Sequence, residues 1–122
     1  MRVGSAVVVG RTARFERTAL VEELMRALRA AYGPDHVHQE YLFAGITGRR
    51  RWRFDVAVLS ARIAIEIQGF SPTGAHGKAW RGLENDCRKY AEAAALGWHV
   101  FPVTYAMLRE GTVLELVLRQ GV

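Results

Sequence analysis

Asp55 and Glu66 are separated by ten residues and sit in two short runs of alternating side chains, 52–59 and 63–68. Alternation predicts Trp52, Phe54, Val56 and Val58 on one face, so that Asp55 points the other way. Ile63, Ile65 and Ile67 alternate likewise and send Ala64, Glu66 and Gln68 to the opposite face. A two-residue turn at Ser60 and Ala61 would set Asp55 opposite Glu66 and Ala57 opposite Ala64. Facing residues have Cβ atoms about 4.5 to 5.5 Å apart, and two carboxylates there repel unless a proton or cation intervenes. A hard divalent ion answers that need. Mg²⁺ takes carboxylate, carbonyl and water oxygens, which makes Asp55, Glu66 and the Ile67 carbonyl candidate ligands beside a phosphate. An ion held there would activate water and neutralise charge developing in a transition state.

The elements that must position these acids follow from periodicity. Apolar residues Val21, Leu24, Met25, Leu28 and Tyr32 recur at helical spacing within 14–32, with Gly33 and Pro34 as stops. Residues 36–43 are expected to form a strand before the basic turn AGITGRRR. Residues 69–82, with four glycines, are expected to form a loop. A second helix is predicted over 83–96, with Leu83, Cys87, Tyr90, Ala91 and Ala94 inward and Gly97 as its stop. A fourth strand follows at 98–103, then a helical segment over 105–120 broken at Gly111. The stretch 3–9 is β-prone and isolated, so residues 1–13 are expected to be an arm or an edge strand.

Composition narrows the class. A chain of 122 residues, half of them hydrophobic and 24% charged, is the size of one domain with one core. No apolar run reaches the roughly 18 residues of a membrane span, and the N-terminal apolar stretch is too short for a signal-peptide core, so a cytoplasmic location is expected. One cysteine, Cys87, excludes an intramolecular disulfide framework and is expected to be a packing residue. The net charge is +5, and fifteen of seventeen cations are Arg. That excess favours a polyanionic partner, with nucleic acid first, although GC-rich coding gives the same arginine bias.

Asp55, the ten-residue gap and Glu66-Ile67-Gln68 resemble the active-site hairpin of the PD-(D/E)XK nuclease superfamily, with Gln68 where that pattern usually has Lys. The longer string IAIEIQGF, His76 and ENDCRKYAEAAALGWHVFPVT resembles small phage-type endonucleases of this superfamily, Holliday junction resolvases among them, over residues 50–110. The resemblance implies an α/β, restriction-endonuclease-like core, a mixed β-sheet flanked by helices. It also implies a first-helix Glu in the metal site. Glu22 fits best by its distance from Gly33, with Glu16 and Glu23 as competitors and a solvated Glu–Arg pair as the alternative for each. A neutral amide at Gln68 orients a water but supplies no full charge. The resemblance offers a lysine from the following helix instead, which Lys89 matches; the alternative is a solvent-facing pair with Asp86.

Arg49, Arg50, Arg51 and Arg53 precede the acidic strand. With Lys78 and Arg81 they are expected to grip phosphates, the alternative being a basic surface that only improves solubility. His76 is a candidate phosphate ligand or proton carrier, or a plain loop histidine. Trp52 and Trp98 are expected in the core, and Trp80 is expected to stack on an unpaired base or pack at a subunit interface.

Together these readings predict one nuclease domain over 1–122 that uses Mg²⁺, or Mn²⁺ as a substitute, to cut branched DNA. Holliday junction resolution by a homodimer is the leading expectation. The alternatives are a mismatch-type or nicking endonuclease of the same fold and a DNA-binding protein with a degenerate site. The 3–9 arm and Val113, Leu114, Leu116, Val117 and Leu118 are expected subunit contacts, against ordinary packing within one chain.

Overall fold

The computed structural model describes residues 9–43, 52–68 and 76–120, with side chains placed over 16–43, 52–68 and 82–120. Helix α1 (Val9–Tyr32) leads through a 3-10 turn (Pro34–His36) to strands β1 (Val37–Leu42), β2 (Arg53–Val58) and β3 (Ile63–Ile67). Helix α2 (His76–Ala95), strand β4 (His99–Val103) and helices α3 (Tyr105–Glu110) and α4 (Thr112–Gln120) complete the order. The sheet order is β1-β2-β3-β4, with β1/β2 and β2/β3 antiparallel and β3/β4 parallel across α2. This is the expected mixed α/β sheet flanked by helices.

Burial explains the layers. Val21, Leu24, Met25 and Leu28 of α1 pack with Val56, Val58, Ile63, Ile65 and Ile67 of the hairpin and with Val113 and Val117 of α4. On the other side Ala93 of α2 and Trp98 meet Phe54, Ala57 and Ala64. The sheet is therefore covered on both faces. The small residues Ala57, Ala64 and Ala93, all fully buried, leave little side-chain bulk between α2 and the sheet. Gly33 (φ 98°) and Gly97 (φ 91°) end α1 and α2 in backbone conformations that a side chain would strain.

The hairpin register agrees with expectation at Ala57↔Ala64, but the connection is longer. Four residues, 59–62, join Val58 to Ile63, with the Arg62 N–H donating to the Leu59 carbonyl at 3.2 Å and Arg62 at φ 56°. The longer loop keeps the same midpoint as a two-residue turn, so the pairing is unchanged.

Several expectations are corrected. Residues 9–13, expected in an arm or edge strand, are helical; Arg11 and Ala13 are good helix formers, and Gly10 weakens the helix without breaking it. Residues 1–8 lie outside the described residues. Helix α2 begins at His76, so His76, Lys78 and Arg81 belong to its first turns and not to a loop. Its inward face is also rotated: Tyr90 is half-buried, as expected, but it is joined by buried Ala93 and half-buried Lys89, whereas Leu83 is 54% exposed and Cys87, Ala91 and Ala94 are exposed. Polar contacts of Lys89 and Tyr90 with the sheet set that face, so Cys87 is not a packing residue. Val113 and Val117 are buried against α1 within the chain, which removes them as candidate subunit contacts.

Phe54 also departs from the predicted alternation, joining Ala57 and Ala64 in place of Val56 and Val58. The β1/β2 ladder passes from Gln39↔Val56 to Tyr41↔Phe54 without a Glu40–Asp55 pair, and Glu40 has φ 53°. The pairing of the two strands is thus interrupted at the level of Asp55, with the unusual backbone at Glu40. Trp98 is core, as expected, and packs edge-on to Phe54 at 5.0 Å. Trp52 is only half-buried, stacked on Phe43. Among the described residues no helix is long and apolar enough to cross a membrane.

Candidate active site

The last step of the β2/β3 ladder is Val56↔Ile65, and beyond it the two acids take over the hydrogen bonding. Asp55 N–H donates to Glu66 Oε2 at 2.8 Å, and Ile67 N–H donates to Asp55 Oδ2 at 2.7 Å. Each carboxylate thus commits one oxygen to the backbone of the opposite strand and presents the other to a cation. Arg17 of α1 meets Asp55 Oδ1 at 3.3 Å, and Lys89 of α2 pairs with Glu66 Oε1. Helices on opposite faces of the sheet deliver the two cations to one edge of the hairpin.

Exposure separates the two pairs. The Glu66 and Lys89 side chains are 7% and 12% exposed, against 24% for Asp55 and 38% for Arg17. Burial pushes the Glu66 carboxyl above its ordinary value, while its hydrogen bonds with Lys89 and the Asp55 amide pull the other way. Gln68 Nε2 donates to the Tyr90 hydroxyl at 2.5 Å. Tyr90 itself is pushed up to about 12, by burial first and then by the negative charges of Glu66 and Asp86. It is a neutral hydroxyl at neutral pH.

The structure therefore brings together Asp55, Glu66, Gln68 and Lys89. Ile67 joins them through its N–H, which holds Asp55. Lys89 turns toward Glu66, in place of the solvent-facing alternative. Glu22 stays apart: it is exposed and lines a depression with Met25, Arg26, Arg29 and Gln39. Glu16 pairs with Arg109, and Glu23 lines an apolar recess with Leu20, Leu24 and Leu108. Helical geometry gives the reason. At about 100° per residue, positions 16, 22 and 23 point away from the stripe of Val21, Leu24, Met25 and Leu28, whereas Arg17 continues that stripe one turn earlier. Among the described residues no group of three or more His, Cys, Asp or Glu side chains is placed to hold a metal ion.

Arg53 is exposed and donates from Nη1 to the Glu40 carbonyl at 3.1 Å, beside the irregular step of β1. Arg49, Arg50 and Arg51 lie outside the described residues, as do the side chains of His76, Lys78, Trp80 and Arg81. Arg17 and Tyr90 are site residues that sequence reasoning missed. The signal for Arg17 was its spacing from Val21. Tyr90 was expected inward but not at the site; the signal was its place one residue after Lys89.

No family model, no curated protein and no solved structure matches this chain.

Proposed function

We propose that this protein is a metal-dependent, structure-selective DNA endonuclease whose preferred substrate is the Holliday junction. The observation that carries the reading is the paired geometry of Asp55 and Glu66, each tied by one oxygen to the opposite strand with the other turned to a cation. The donor set suits Mg²⁺, or Mn²⁺ in its place, because Mg²⁺ is commonly held by one or two carboxylates with water and substrate phosphate completing its shell. Asp55 Oδ1 and Glu66 Oε1 are the oxygens that would hold it. When bound, the ion supplies a Lewis acid and a more acidic water.

The chain's own groups complete the chemistry. Lys89 provides the positive charge that Gln68 lacks. Tyr90 accepts from the Gln68 amide nitrogen, which turns Gln68 Oε1 into the group that would orient the attacking water. The +5 net charge supports a phosphate-rich partner, with Arg49, Arg50, Arg51, Arg53, Lys78 and Arg81 as its contacts. Resolving a junction takes two symmetric nicks and each chain offers one such acid pair, so the reading includes a homodimer, acting in the cytoplasm.

The test incubates the protein with labelled junction, flap, mismatch and linear duplex, each with Mg²⁺, Mn²⁺ or chelator, and maps the ends. Paired symmetric cuts confined to the junction support resolution. Single nicks at a mismatch favour the nicking relative, and binding without cutting under any metal favours a degenerate site.

A further inference from the structure

The hairpin explains one oxygen of each carboxylate but not why Asp55 carries an arginine. Arg17 reaches Oδ1 from the inner stripe of α1, and that is the oxygen left free by the Ile67 N–H. Together with Lys89 it cancels the formal charge of the two acids. With both cations seated, the acid pair has no uncompensated negative charge to attract a divalent ion, so one of them must move.

The two cations are not equally held. Lys89 is 12% exposed and lies between Glu66 and the Phe54 ring, whose centroid is 6.0 Å from Nζ. Arg17 is 38% exposed and meets Asp55 through a single nitrogen. Half-exposed, single-contact ion pairs are weak, whereas breaking a buried pair strands a charge. A guanidinium also presents a planar fork that fits two phosphate oxygens at once, a geometry unused on Asp55.

We propose that Arg17 is a displaceable counterion: it covers the Asp55 oxygen that a divalent cation needs, and leaves it for a phosphate group of the nucleic acid. The proposal rests on the nuclease reading above. Phosphate and metal then strengthen each other's binding, because each favours the position of Arg17 that admits the other. Loss of the Arg17 charge should expose the oxygen permanently and abolish that coupling.

The experiment measures free Mn²⁺ by electron paramagnetic resonance as the intact protein is titrated, without nucleic acid. Arg17→Met keeps the apolar stem and removes the charge, Arg17→Gln repeats the test with a polar side chain, and thermal unfolding confirms that each variant is folded. Both variants should bind Mn²⁺ about three- to fivefold more tightly than the wild type, the scale of a partly exposed ion pair. Added inorganic phosphate should tighten Mn²⁺ binding to the wild type and have little effect on the variants, after correction for Mn²⁺ complexed by phosphate itself. Equal or weaker Mn²⁺ affinity in the folded variants, or an equal response to phosphate, overturns the proposal. Asp55→Asn separates the two levels of inference. If it leaves wild-type Mn²⁺ binding unchanged, the metal site fails and the role of Arg17 fails with it; if it abolishes binding while the Arg17 variants match the wild type, only the role of Arg17 fails.

Discussion

Asp55 N–H donates to Glu66 Oε2 at 2.8 Å, one step past the final ladder pair of β2 and β3. The return bond, from Ile67 N–H to Asp55 Oδ2, makes the acid pair a continuation of the sheet. The same carboxylates are therefore structural acceptors and the proposed metal ligands, and substitutions can separate the two roles.

Glu66→Ala should destabilise the fold by about 3 kcal/mol, because it leaves the Asp55 amide without its acceptor and the enclosed Lys89 ammonium without its counter-charge. Glu66→Gln keeps an oxygen for the amide and should cost less. Adding Lys89→Met to Glu66→Ala should recover much of the loss, since the stranded charge is gone. Urea unfolding of the three variants checks the order; a double variant as unstable as Glu66→Ala alone would contradict it.

Asp55→Asn and Glu66→Gln should each abolish cleavage while DNA binding is largely retained. Each removes a carboxylate charge and leaves the arginines in place. Chelator should stop wild-type cleavage, and added Mg²⁺ should restore it. Gel-shift and cleavage assays on the same junction preparation provide both readouts, and full activity in either variant would discard the site.

The legible parts of this molecule are those fixed by local period and turn chemistry. Val21, Leu24, Met25 and Leu28 share a face because the helical period requires it, and all four are buried. Ala57↔Ala64 follows from the hairpin midpoint whether the connection has two residues or four. What escaped was decided between elements. The face of α2 is set by Lys89 reaching Glu66 and Tyr90 meeting Gln68, contacts that outweigh the apolar count of Leu83, Cys87 and Ala91. Phe54 changes sides where the β1/β2 pairing is interrupted between Glu40 and Asp55, and nothing in the alternation of either strand alone signals that interruption. Glu22 was favoured by its distance from Gly33, but helical phase, not distance, selects which side chain reaches the hairpin.

Lys89→Ala should lower the chemical rate about a hundredfold or more, the scale seen when one preorganised charge-stabilising donor is removed. DNA affinity should change little, because Lys89 is enclosed against Glu66 and Phe54 and does not belong to the exposed cations. Single-turnover cleavage measured with saturating enzyme separates the two effects. A loss confined to affinity would move Lys89 from the chemistry to the DNA footprint.

Tyr90 provides a pH test of the same site. Burial and the charges of Glu66 and Asp86 disfavour its phenolate and push it up to about 12, from an ordinary value of 10.0. A raised value means that the stability linked to neutral Tyr90 is complete below the unfolded-state value and is lost as pH rises from about 10 to about 12. The near-ultraviolet tyrosinate signal of the four tyrosines should therefore show a late step that Tyr90→Phe removes. The same variant should flatten the alkaline decline in stability. Because the hydroxyl stays neutral through the physiological range, its work is to hold the Gln68 amide. Tyr90→Phe should accordingly slow single-turnover cleavage without shifting its pH profile below pH 9, a limit chosen about one unit under the ordinary tyrosine value. A pH shift in that range would assign Tyr90 a proton-transfer role instead, and survival of the late tyrosinate step would assign that step to Tyr32, Tyr41 or Tyr105.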